Sequence, residues 1–135
     1  RNMINDKGIK THKNIHILKP LGFLDYNCLQ MNSFAVLSDS GTINEESSIL
    51  NFRALNLRDA HERPEAMEEA SVMMVGMNTD RIIQGLTELS RQEITENRNF
   101  REVSDYSMPN VSLKLVRIII SYVDYVNQNI YKKFN

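Results

Sequence analysis

Apolar positions fall along this chain in short solid blocks separated by longer periodic stretches. Phe34–Leu37, Ala54–Leu57 and Val72–Val75 are almost wholly apolar. Each is followed by turn or charged residues and then by a stretch with helical spacing. Short runs with no polar residue at alternate positions predict strands buried on both faces. The intervening stretches predict helices over Thr42–Leu50 and Pro64–Glu69, with Pro64 in the first turn, where its missing N–H costs nothing. Another helix starts at Asn78 or Thr79, with Ile82, Ile83, Leu86 and Leu89 on one face. Upstream, Ile15–Leu18 is rich in β-branched residues and predicts a strand ending at Pro20. Gly22–Asn32 predicts a helix, with Phe23, Leu24, Cys28, Leu29 and Met31 at helical spacing. The pattern dissolves from Gln92 to Met108, leaving Phe100, Val103 and Tyr106 as isolated apolar anchors. Beyond Pro109 a long helix carries a stripe of Val111, Leu115, Ile118, Ile119, Tyr122, Val123 and Val126.

Strands alternating with helices predict an α/β fold: a Rossmann-like parallel sheet of at least four strands, with helices on both faces. Residues 1–14 read as a polar connector, 15–108 as one nucleotide-binding domain, and 109–135 as a helix reaching elsewhere. In such sheets ligands sit beyond the carboxyl ends of the strands. Two loops fall there: Ser38–Thr42 and Arg58–Arg63.

Composition narrows the picture mainly by exclusion. The chain has 16 basic and 17 acidic residues, a net charge of −1, which gives no field for nucleic acid or a membrane surface. No apolar run approaches the roughly 18–20 residues that span a bilayer. One cysteine, Cys28, forms no internal disulfide, which fits a reducing, cytoplasmic setting. The chain opens on Arg1 without a signal-peptide pattern or an initiator methionine, and reads as part of a longer polypeptide. It contains no CxxC, Walker loop or GxGxxG, and His12, His16 and His61 lack metal spacing. No metal, cofactor or catalytic residue is assigned.

The turn at Ser38-Asp39-Ser40-Gly41 feeds the helix from Thr42. Free backbone N–H groups and the positive end of the helix dipole converge at such a start and suit a phosphate or diphosphate. Asp39 equally suits a simple helix cap. Glu46 lies four residues after Thr42, on the same face one turn deeper, where a carboxylate can accept hydrogen bonds from ribose hydroxyls. Glu45 is a solvated or bridging residue. For Glu45-Glu46 together, an acidic first turn that favours the dipole is an equal reading. The loop Arg58-Asp59-Ala60-His61-Glu62-Arg63 has two readings. Its arginines meet a diphosphate while Asp59 and Glu62 hold them, or it is a self-satisfied cluster of surface ion pairs.

Taken together, these motifs resemble the non-hydrolysing UDP-N-acetylglucosamine 2-epimerase family. The resemblance is carried by Leu37-Ser38-Asp39-Ser40-Gly41 with Glu45-Glu46, by Leu57-Arg58-Asp59 with Glu62-Arg63-Pro64-Glu65, and by Val75-Gly76. Upstream, Pro20-Leu21-Gly22-Phe23-Leu24-Asp25-Tyr26 resembles the family's uracil-side segment. The wording EESSIL, Ala60-His61 and EEASVMMVG is similar to the branch that forms UDP-N-acetyl-L-fucosamine for capsule or O-antigen. The resemblance implies twin Rossmann-like halves on the GT-B plan, of which this chain is the C-terminal one, in a homodimeric enzyme. The reaction implied is elimination of UDP to a glycal, then re-addition to the opposite face.

By the same resemblance, Ser40, Gly41 and Thr42 bind the diphosphate, Glu46 the ribose and Arg63 the nucleotide. Leu21 and Tyr26 line the uracil pocket, and Arg58, Asp59 and Glu62 support. Thr42 replaces a family glycine and Arg53 a proline. The family's catalytic carboxylates and histidine fall in the N-terminal half and in the segment preceding this chain. The partners expected are therefore a UDP-sugar and an N-terminal half. The alternatives are a stand-alone UDP-sugar-binding module and a glycosyltransferase donor domain.

Overall fold

The computed structural model describes residues 12–93 and 98–133. Most of the connector assigned to residues 1–14, and residues 94–97 of the polar stretch, therefore lie outside the described residues. Three short strands, β1 (Val36–Ser38), β2 (Ala54–Asn56) and β3 (Met73–Met74), form a parallel sheet in the order β1-β2-β3. Val36 pairs with Ala54 and Ser38 with Asn56, while Leu55 pairs with Met73.

Among the described residues six helices accompany the sheet: α1 (Phe23–Asn32), α2 (Ile43–Leu50), α3 (Pro64–Glu68), α4 (Thr79–Ser90), α5 (Ser104–Ser107) and α6 (Val111–Asn129). The central strand β2 is buried along its whole length, and consecutive side chains of a strand face opposite ways. Ala54 packs with Ile43 of α2, Phe52 and Val72. Leu55 faces the other side, where α4 comes so close that a Cβ on Gly85 would stand 3.0 Å from Leu55 Cδ2. Helices thus cover both faces, which is why the strands read as solid apolar runs.

Local chemistry sets the ends of several elements. Asn78 caps α4, accepting from the backbone N–H groups of Asp80 at 2.9 Å and Arg81 at 3.1 Å. Asn51 closes α2 in the left-handed region, a conformation asparagine tolerates better than most residues. Within the polar stretch Val103 is a true anchor, 1% exposed, and its N–H donates to Ser48 Oγ on α2 at 2.9 Å.

Several expectations need correction. Ile15–Leu18 is not a strand, and the sheet has three strands among the described residues, not four. The Ile15 N–H is consumed in a turn onto His12 O at 2.9 Å, and Ile15 and Leu18 stay exposed. The helix α1 forms as the spacing predicts but presents Phe23, Leu24, Leu29 and Met31 to the outside; its one buried residue is Gln30. Ile83 also lies exposed, while α4 buries Gly85 and Leu89. Asp39 makes no side-chain cap to α2.

None of the side chains of the 19-residue α6 is buried, which among the other described helices holds only for the four-residue α5. Lys114, Arg117, Ser121, Asp124 and Gln128 fall at three- and four-residue spacing in one narrow polar stripe. Apolar residues occupy most of the remaining circumference. Among the described residues, no helix is long and apolar enough to cross a membrane.

Candidate functional site

Because Ser38 and Asn56 are register partners, the loops that follow them start side by side at the carboxyl edge of the sheet. The ladder continues beyond the strands: Leu57 N–H donates to Ser38 O and Val75 N–H to Asn56 O, both at 2.9 Å. Asn56 Oδ1 then accepts the Arg58 N–H at 3.0 Å and turns the second loop upward. The two loops meet at Gly41, where a Cβ would lie 2.9 Å from Glu62 Oε2 and 3.8 Å from Arg58 Nη1. A third loop joins at Gly76. Its φ of +62° strains any residue with a side chain, and an added Cβ would stand against the Asp59 carboxylate.

The first loop is a run of hydroxyls. Ser38 Oγ accepts the Ser40 N–H at 3.1 Å and Ser40 Oγ the Thr42 N–H at 3.3 Å. Ser40 Oγ and Thr42 Oγ1 are 2.9 Å apart, and Thr42 Oγ1 donates to Glu46 Oε1 at 2.9 Å. The four-residue spacing therefore does place Thr42 and Glu46 on one face of α2. Glu46 Oε2 accepts from Gln30 Nε2 of α1 at 2.6 Å, so each carboxylate oxygen holds one donor. Gln30 was absent from the residues the sequence reading singled out. The available signal was its place four residues after Tyr26, hence on the same face of α1 one turn on. By the same spacing Tyr26 stands one turn from the Gln30–Glu46 contact. Leu21 precedes α1, and both Leu21 and Tyr26 are exposed.

The second loop pairs internally. Arg58 and Glu62 form an ion pair, and the guanidinium beside Glu62 holds its carboxyl below the ordinary 4.5. Arg63 differs from expectation: its carboxylate partner is Glu45, at 2.7 Å from Nε, rather than Asp59 or Glu62. From Glu62 it receives only the backbone carbonyl, at 3.1 Å from Nη1. Glu45 is thus the bridging residue between α2 and the loop, because a residue next to Glu46 is about 100° round the helix and faces the loop. Asp59 turns to Gly76 instead. Further out, Tyr106 Oη donates to Glu65 Oε1 at 2.9 Å. Burial and this carboxylate push the phenol above its ordinary range.

The arrangement brings together the expected Ser40, Gly41, Thr42, Glu46, Arg58, Glu62 and Arg63. Its acceptors and hydroxyls line up along α2, and its two arginines stand charge-paired across from them. No group of three or more His, Cys, Asp or Glu residues capable of holding a metal occurs among the described residues. Fold and site together define a parallel α/β protein with a glycine-turned polar crevice at the carboxyl ends of its strands.

The comparisons with known proteins place that class in a family. The family model of UDP-N-acetylglucosamine 2-epimerase matches residues 1–120. The curated UDP-N-acetylglucosamine 2-epimerase of Methanocaldococcus jannaschii is 32% identical over 111 residues, 82% of this chain and 29% of that enzyme. The Neisseria meningitidis enzyme is 34% identical over 107 residues, 79% of this chain and 29% of its own length. Among solved structures, the Rickettsia bellii UDP-N-acetylglucosamine 2-epimerase superposes with a TM-score of 0.80 at 42% identity, covering 98% of this chain and 34% of that one. The M. jannaschii enzyme solved with UDP-GlcNAc and UDP gives 0.72 at 29% identity, covering 89% of this chain and 32% of that one. This chain belongs to the UDP-N-acetylglucosamine 2-epimerase family, and it spans about a third of the length of these relatives.

Proposed function

We propose that this chain is the UDP-binding, C-terminal half of a sugar-nucleotide 2-epimerase. The observation that carries the reading is the line Ser40–Thr42–Glu46 along the start of α2. Donors for a diphosphate stand at one end of it, and a carboxylate suited to ribose hydroxyls stands one turn deeper. Ser40, Gly41 and Thr42 hold the diphosphate, Thr42 through its N–H despite replacing a glycine. Glu46 accepts from the ribose, and Leu21 and Tyr26 flank the uracil. Arg63, oriented by Glu45, meets the nucleotide, while Arg58, Asp59 and Glu62 shape the loop around Gly41 and Gly76.

Elimination of UDP and its re-addition to a glycal need an acid–base pair at the sugar. The resemblance assigns those groups to an N-terminal half, so this chain binds nucleotide and does not epimerise alone. α6 supports the same division. A helix apolar around most of its circumference needs burial, and here none of its side chains is buried. The N-terminal half covers it, and the full-length enzyme is a homodimer. The product branch is UDP-N-acetyl-L-fucosamine formation, feeding capsule or O-antigen synthesis in the cytoplasm.

Calorimetric titration with UDP tests the site directly. Glu46→Ala is expected to weaken binding by about 1.5–3 kcal/mol, the scale of hydrogen bonds to a charged group. Unchanged affinity would remove Glu46 from the site.

A further inference from the structure

Gln30 is the single buried side chain of α1, only 2% exposed, and no role is assigned to it above. Its amide nitrogen donates to Glu46 Oε2 at 2.6 Å, while Thr42 holds Oε1 from within α2. An ionised carboxylate only accepts, so the amide is held nitrogen-first and its own oxygen faces away. That oxygen is buried and has no hydrogen-bond partner among the described residues. Leaving an acceptor in that state is costly, and a leucine at this position would avoid the cost altogether. The contact to Glu46 is what the glutamine supplies in return.

We propose that Gln30 is a positioning residue for nucleotide recognition, locking the plane of the Glu46 carboxylate so that its remaining lone pairs meet the vicinal hydroxyls of a ribonucleoside diphosphate. The proposal rests on the reading of Glu46 as the ribose acceptor. Thr42 alone pins one oxygen and leaves the carboxylate free to rotate about its last torsion. A second donor, from a different helix, removes that rotation before the ligand arrives, so less freedom is lost on binding. The same bond ties α1, and with it Tyr26 one turn away, to α2. The base side and the ribose side of the crevice are thereby held in one register.

The test compares UDP with 2′-deoxy-UDP and with inorganic pyrophosphate, on the 135-residue chain and its Gln30→Leu variant. The unsubstituted chain should prefer UDP over 2′-deoxy-UDP by roughly tenfold, the scale of one charged hydrogen bond. Gln30→Leu should lose most of that preference while binding pyrophosphate as before. A variant that merely disturbed packing would weaken all three ligands together and keep the ratio, and that result overturns the proposal. If the unsubstituted chain binds UDP without the preference, or not at all, the reading of Glu46 fails and this inference falls with it.

Gln30→Glu gives a second readout should the leucine variant fold poorly. Two facing carboxyl groups share a proton at low pH and repel once both ionise. The variant's UDP affinity relative to the unsubstituted chain should therefore fall as pH rises. A constant ratio across pH would also overturn the proposal.

Discussion

The carboxyl edge of the sheet and the helix α6 differ in how far this chain satisfies them. At the edge, most hydroxyls, carboxylates and guanidinium groups find partners within a few residues or across adjoining loops. Gln30 Oε1, Glu45 Oε2 and Arg58 Nη1 are left without a hydrogen bond among the described residues. In α6, residue after residue is apolar and exposed. A polar network between neighbouring loops is satisfied locally, because hydrogen bonds and ion pairs are short-ranged and directional. An apolar surface is satisfied only by area, and area must come from another body. The polar crevice is therefore largely satisfied within this chain, whereas the apolar surface of α6 is not covered by the described residues.

The sharpest contrast should come from equal truncations in the two regions. Leu55→Ala, in the middle of β2 and fully buried, is expected to destabilise the fold by about 2–5 kcal/mol. Ile119→Ala, on an exposed face, should stay within about 0.5 kcal/mol. Denaturant melts of both variants check this, and a large loss for Ile119→Ala would mean α6 packs on its own domain.

Self-association is the next largest effect. The exposed apolar helix should make the chain associate with rising concentration. Replacing Ile119 and Tyr122 together by lysine should return it to a monomer in sedimentation velocity with its melting curve unchanged. A chain that is monomeric without the substitutions removes the unfinished-surface side of the comparison.

Within the site, Arg63→Lys should weaken UDP binding by less than Glu46→Ala does. Lysine keeps the charge but not the planar fork that contacts Glu45 and the Glu62 carbonyl together. Full tolerance of lysine would reduce the Arg58–Arg63 loop to a cluster of surface ion pairs.

The smallest effect is one of pH. The Glu62 carboxyl sits below its ordinary 4.5 because of Arg58. A carboxyl with a depressed value stabilises the folded loop fully above the unfolded value, and loses that contribution as pH falls through the folded one. The melting temperature should drop slightly more below pH 4.5 for the unsubstituted chain than for Glu62→Gln, with little difference at neutral pH. Equal slopes would show the exposed pair contributing nothing.

Much of this protein was legible from sequence because its determinants are local. Solid apolar runs marked β1, β2 and β3; Asn78 or Thr79 marked the start of α4; and the spacing of Thr42 and Glu46 placed both on one face of α2. These follow from backbone periodicity and capping, which act over a few residues. What surrounds a segment is not local, and there the pattern misled. Ile15–Leu18 has strand composition but pairs with no strand among the described residues, and its first donor is spent in a turn. α1 has amphipathic spacing, yet it buries Gln30 and exposes Phe23 and Leu24. Arg63 chose Glu45 over the nearer carboxylates in sequence, since α2 and the loop meet only when the sheet assembles. Periodicity shows that a face exists, but only the tertiary structure decides what covers it, because burial and pairing are set by residues distant in the chain.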